Sequence, residues 1–147
     1  MYFLIVNKET LTTHYIYESS EPDYNILNYF TNEIYEHVEI PDDLLYYTQF
    51  LKALHQNGQI ILYVDENDKN NVNMETWKQI RLKRNQLLQE TDFYLMMDYP
   101  INEICRQETI VYRQRLRDIP QIYESPFNVI WPDYPSFFIL NNNFQNR

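Results

Sequence analysis

The sequence predicts an α+β fold, with a small N-terminal unit rich in β-hairpins followed by a C-terminal helical hairpin and an extended, Pro-rich segment. Three observations carry this. Before residue 65 the apolar residues fall in short β-prone runs broken by polar turns, and after residue 73 they recur at helical spacing. The charge changes character at the same place: residues 1–73 hold three basic and twelve acidic side chains, and residues 74–147 hold nine of each. Between the two lies Asp65-Glu66-Asn67-Asp68-Lys69-Asn70-Asn71, which has no apolar residue and reads as a solvated connection. The predicted units are therefore 1–72 and 73–147.

Each element follows from its local chemistry. Tyr2–Asn7 and Thr12–Tyr17 are β-prone runs separated by Lys8-Glu9-Thr10, the pattern of a short hairpin. Over Pro22–Tyr35 the residues Ile26, Leu27, Phe30 and Ile34 lie near helical spacing, and His37–Ile40 reads as a brief extended run stopped by Pro41. A second hairpin is marked by Phe50–Gln56 and Gln59–Val64 around Asn57-Gly58, the pair that supplies the positive φ values of a type I′ turn. In the second unit Asn73 is placed to cap a helix, with Glu75 favourable against its dipole. Trp77, Ile80, Leu87 and Leu88 form one stripe of that helix, and Arg84 falls on it. A second helix is predicted to begin at Pro100, to run through Ile101, Ile104, Cys105, Tyr112 and Leu116, and to end before Pro120. Beyond it Pro126, Pro132 and Pro135 exclude regular helix, so Phe127, Val129 and Trp131 are expected in an extended segment lying across the helix pair. The expected core of this unit is Trp77, Leu87, Leu88, Tyr112 and Leu116.

Composition excludes several functions. The net charge of −9 lacks the broad basic surface that nucleic-acid binding requires. One glycine rules out P-loops and dinucleotide fingerprints, so no nucleotide cofactor is expected. A lone cysteine, Cys105, forms neither an intramolecular disulfide nor a Cys-based zinc site. No run of about 18 apolar residues is present, so no membrane helix is expected, and a cytosolic protein without a signal peptide is the predicted form.

The candidate chemical groups favour structural roles. His14, His37 and His55 lie in different predicted elements and match no helical metal-binding spacing. Cys105 reads as a small apolar helix residue rather than a nucleophile. Asp65, Asn67 and Asn71 alternate like calcium ligands, but Lys69 occupies a ligand position, the sixth-position glycine is missing and Thr76 replaces the terminal Glu, so a linker is expected. Lys78, Arg81, Lys83 and Arg84 form a basic cluster that the surplus of acids suits to intramolecular pairing. Arg113 and Arg117 share a helix face. With Arg84 they are expected to pair with acids among Asp92, Asp98 and Asp118, in an ion network fixing the loops of the hairpin. No catalytic residue, metal or cofactor is predicted.

Four ordered motifs carry a resemblance. They are Trp77-x2-Ile80-Arg81-x2-Arg84-x2-Leu87-Leu88-x2-Thr91-Asp92, Asp98-Tyr99-Pro100, Tyr112-Arg113-Gln114-x-Leu116-Arg117-Asp118-Ile119-Pro120 and Trp131-Pro132-x2-Pro135. Together they resemble the tail-assembly-chaperone family of tailed bacteriophages, from about Trp77 to Pro135. The chain departs from the family at Phe93 and Thr109, where tryptophan is usual. The resemblance implies a non-enzymatic protein that binds a phage tail or tail-fibre protein in the host cytoplasm and assists its folding, assembly or attachment. A permanent place in the virion tail is the alternative it leaves. Homo- or hetero-oligomeric contacts are compatible with the aromatic content, and no nucleic-acid or membrane partner is implied. The motif residues Trp77, Arg81, Arg84, Asp92, Asp98, Tyr112, Arg113, Leu116, Arg117, Asp118, Trp131 and Pro132, with Phe137 and Phe138 of the apolar run Phe137–Leu140, are the structural or partner-binding candidates. The resemblance leaves the first unit to carry specificity for the particular virus.

Overall fold

The computed structural model describes residues 1–20, 29–30 and 33–137. It contains N-terminal antiparallel strands followed by helices, an α+β fold divided into two compact units, Met1–Val72 and Asn73–Arg147. The helix expected over residues 22–35 falls largely outside the described residues.

In the first unit β1 (Tyr2–Asn7) is the centre of a three-stranded antiparallel sheet, flanked by β2 (Thr13–Glu18) and β3 (Tyr35–Glu39). Its central place explains its composition: Leu4, Ile5 and Val6 are all buried, whereas no residue of β2 is. The β1–β2 register shifts between Leu4 and Val6. The turn that follows is closed by Asn7, whose Oδ1 accepts from the backbone N–H of Glu9 and of Thr10, both at 3.0 Å. After Pro41 comes a 3-10 segment, Asp42–Phe50, which buries Leu44 and Tyr47. Phe50 therefore belongs to this segment and not to the following strand, which starts at Lys52. The second hairpin pairs β4 (Lys52–Gln56) with β5 (Gln59–Tyr63) across Asn57 and Gly58, whose φ values of 52° and 79° are those a type I′ turn requires. Ile60, Leu62 and Val64 alternate into the core.

The polar stretch 65–71 is not a loop. Helix α1 spans Glu66–Glu90, and its first turn is already closed by the Lys69 N–H to the Asp65 carbonyl at 3.0 Å. Asn73 thus sits inside the helix rather than at its cap. Two things hold the stretch helical: Glu66 and Asp68 suit the positive end of the dipole, and Lys52 of β4, distant in sequence, pairs with both Asp65 and Asp68.

The second helix, α2, spans Glu103–Ile122. It begins later than Pro100 because Asn102 caps it, its Oδ1 accepting from Cys105 N–H at 2.8 Å. It also passes through Pro120. Only two helical residues follow that proline, so a single backbone donor is lost within the last turn while the buried Ile119 holds the chain in place. Thr109, Tyr112, Arg113, Leu116 and Ile119 form its buried face, at steps of three and four. Ile104, expected on that face, is exposed.

The core of this unit is Ile80 and Leu87 of α1 with Tyr112, Leu116 and Ile119 of α2. Trp77 and Leu88, expected fully inside, are partly buried and pack against it, as do Val129 and Trp131 of the extended segment. Val129 and Trp131 thus lie over the shared core as expected. Phe127, expected in the same extended run, falls instead in a 3-10 turn, Pro126–Asn128, which Pro126 starts and Ser125 caps, its Oγ accepting from the Phe127 N–H at 3.4 Å.

Candidate functional site

The family motifs converge on the interface of the helical hairpin. Thr91 ends the buried stripe of α1, and its hydroxyl lies 3.1 Å from the Leu87 carbonyl and 2.9 Å from that of Leu88. Arg113, on the inner face of α2, reaches the same place. Its Nη1 donates to the Leu88 carbonyl at 2.5 Å and to Thr91 Oγ1 at 2.6 Å, and its Nη2 donates to Asp92 Oδ1 at 2.6 Å. The guanidinium therefore satisfies carbonyl and hydroxyl acceptors at the C-terminal end of α1, where the helix dipole favours a cation. The side chain of Arg113 is 9% exposed and that of Asp92 58%. The ion pair is thus buried on the arginine side only, and the two neutral acceptors compensate much of the guanidinium's desolvation.

The expected pairing of Arg84 and Arg117 is not what forms. Arg84 is half-buried and donates to the neighbouring Asn85 Oδ1 at 3.2 and 3.0 Å. Arg117 is exposed and makes no ion pair among the described residues: it stands one helical turn beyond Arg113, past the level at which Arg113 meets the end of α1. Asp98 likewise makes no ion pair among the described residues, and Asp118 accepts from Gln114 Nε2 on its own helix at 2.8 Å. One member of the anticipated network, Arg113 with Asp92, holds the turn.

Around the latch lies an aromatic cluster that spacing alone did not show. A 3-10 turn, Phe93–Leu95, places the Phe93 and Tyr94 rings 4.0 Å apart, with Tyr99 within 5.3 Å of Phe93 and 5.1 Å of Tyr94. Phe137 closes it edge-on against Tyr94 at 5.4 Å. Phe138 and the rest of the apolar run lie outside the described residues. The only advance signal was the density of Tyr and Phe between the helices.

Two cations sit over the tryptophans. Lys83 Nζ lies 4.4 Å from the Trp131 ring, and the Arg81 guanidinium 5.8 Å from the Trp77 ring. The basic cluster of α1 is thus partly engaged by its own unit, and Lys78 pairs with Glu75. Pro132 is half-buried beside Trp131. Tyr112 stacks on Tyr134 with ring centroids 5.4 Å apart. Burial raises the Tyr112 phenol above its ordinary value near 10, and the neighbouring Tyr134 and the charge of Glu90 push it the same way.

The histidines have structural partners. His14 Nε2 lies 3.2 Å from Thr12 Oγ1, His37 Nδ1 lies 3.0 Å from the Tyr17 hydroxyl, and His55 Nε2 lies 2.9 Å from the Lys8 carbonyl. Cys105 is half-buried. Among the described residues no group of three or more His, Cys, Asp or Glu side chains is arranged to hold a metal ion. No described helix is long and apolar enough to cross a membrane.

The arrangement is a helical hairpin latched by one arginine and faced with aromatic side chains. Residues 77–136 match the family described as phage tail assembly chaperone protein, the family that the four motifs resemble. The matched segment ends one residue before Phe137 and contains the latch, the shared core and the extended cover. No curated protein and no solved structure matches the chain.

Proposed function

We propose that the chain binds a structural protein of the phage tail or tail fibre in the host cytoplasm and holds it competent for assembly or attachment, without catalysing a reaction. The observation that carries this reading is the family match over residues 77–136. Those residues build one latched hairpin, so what recurs in the family motifs is a scaffold rather than a set of reactive groups. The acidic first unit lies outside the matched segment and is assigned the specificity for the particular virus. Its charge argues against nucleic acid as the partner.

A permanent place in the virion is the second reading, motivated by the apolar run from Phe137 to Leu140. The packing of Phe137 on Tyr94 of its own unit favours the departing factor over a docked tail peptide. Affinity capture of the tagged full chain during infection tests the binding. A tail or fibre protein recovered with the chain before particles form is the expected result, and recovery of capsid proteins alone contradicts it.

A further inference from the structure

An open groove runs along one face of α2, walled on its other side by Asp133, Pro135 and Ser136. Its volume is about 590 Å³, within the range of ligand-sized clefts. Ile104, Val111, Tyr112 and Pro135 give it an apolar lining. Two of these are costly to leave in water: Ile104 is 73% exposed and Val111 49%. Three carboxylates, Glu103, Glu108 and Asp133, line it as well, against one cation, Arg115. The groove is therefore apolar within and negative around, on a chain whose net charge is −9.

We infer that this groove binds a short segment of a tail protein that carries apolar side chains flanked by Lys or Arg. The inference rests on the tail-protein reading above and adds where the partner sits and what chemistry it presents. Apolar side chains fill the cleft between α2 and residues 133–136, and the flanking cations meet the carboxylates. An acidic or uncharged segment of equal hydrophobicity gains only the first of these. The sequence concealed the site because Ile104 and Val111 lie at helical spacing like core residues, and only the placement of residues 133–136 makes a cleft of them.

Photo-crosslinking from the full-length chain during infection tests this, with p-benzoylphenylalanine replacing Val111 in one variant and the exposed Leu82 of α1 in another. The expected result is an adduct from position 111 to an apolar, Lys- or Arg-flanked segment of a tail protein, identified by mass spectrometry. Its yield should fall roughly fivefold or more with Glu103→Lys/Glu108→Lys, and less with the shape-preserving Glu103→Gln/Glu108→Gln. A tail-protein adduct from position 82 but not 111 overturns the groove and leaves the tail-protein reading standing. Adducts from position 111 to a second copy, to residues 138–147 of the same chain, or to an acidic or uncharged segment overturn it too, as does a yield indifferent to both double variants. Absence of a tail-protein adduct from either position overturns both.

Discussion

The two units build their cores by different means. In the first, β1 is hydrogen-bonded on both sides, and its three consecutive buried residues are held between two strands that both come later in the chain. Backbone pairing supplies the frame, and side chains need only fill it. In the second, each helix satisfies its own backbone, so nothing in the main chain dictates how the two helices meet. Side chains must do so: the stripe on α1, the face on α2, and Arg113 reaching from one helix to the end of the other. The difference explains why the recognisable motifs lie in the second unit. A strand tolerates many residues that fit a pleated surface, whereas a latch made by one guanidinium requires an arginine, a hydroxyl and a carboxylate at fixed spacing.

The comparison is tested most strongly by deleting core volume in each unit. Leu116→Ala, at a fully buried position, should cost about 4 kcal/mol, and Ile5→Ala about 3 kcal/mol. Both tryptophans lie in the second unit, so Leu116→Ala is expected to lower the denaturation midpoint followed by Trp fluorescence, while Ile5→Ala leaves that midpoint nearly unchanged and lowers instead the amide-exchange protection of the β1 sheet. If Ile5→Ala moves the Trp transition as far as Leu116→Ala does, the units unfold as one and the contrast fails.

Arg113→Ala comes next, at about 2–3 kcal/mol, because it removes a buried side chain and the donor that ties α2 to the Thr91 hydroxyl and the Leu88 carbonyl; those two still hydrogen-bond each other, and Asp92 can find water. Asp92→Asn should cost less than about 1 kcal/mol, since that carboxylate is largely solvated. Equal effects in urea melts would show that the ion pair, rather than the neutral acceptors, makes the latch.

Alkaline pH should weaken the second unit. Tyr112 and Tyr134 both have phenols raised above 10, chiefly by burial, so the unfolded chain loses these protons before the folded chain does. The stability they contribute is complete below pH 10 and declines as the pH climbs past it. Tyr112→Phe should move the alkaline unfolding midpoint, followed by Trp fluorescence, to higher pH; no movement would mean that this phenol ionises as freely in the folded protein as in the unfolded one. The smallest effect belongs to Gly58→Ala. An added Cβ meets nothing within 4 Å, so only the positive φ of 79° opposes it, and a loss of about 1 kcal/mol confined to the first unit is expected from thermal melts.

Much of this was legible beforehand, for reasons that can be named. The Asn57-Gly58 turn, the stripe on α1 and the extended cover around Trp131 each follow from a local rule strong enough to act alone. The α+β class followed from them. What escaped was decided by partners distant in sequence. Residues 66–71 are polar all round and read as a linker, yet they are helical with Lys52 pairing to the acids beside them. Pro120 signals a stop, yet core packing carries the helix two residues further. Arg84, Arg113 and Arg117 were equivalent by composition, and only the packing that brings Arg113 level with the C-terminal end of α1 selected it for Asp92. The groove beside α2 exists because residues 133–136 return alongside that helix, which no local pattern encodes.

The function proposed above is that of an assembly factor that acts on a tail protein and then leaves. Quantitative mass spectrometry of purified virions beside infected-cell lysate tests it most directly, with the chain's peptides measured against a tail protein of known copy number. Abundance in the lysate and absence from particles is the predicted result. A fixed stoichiometry in purified virions would contradict it and make the chain a permanent part of the tail.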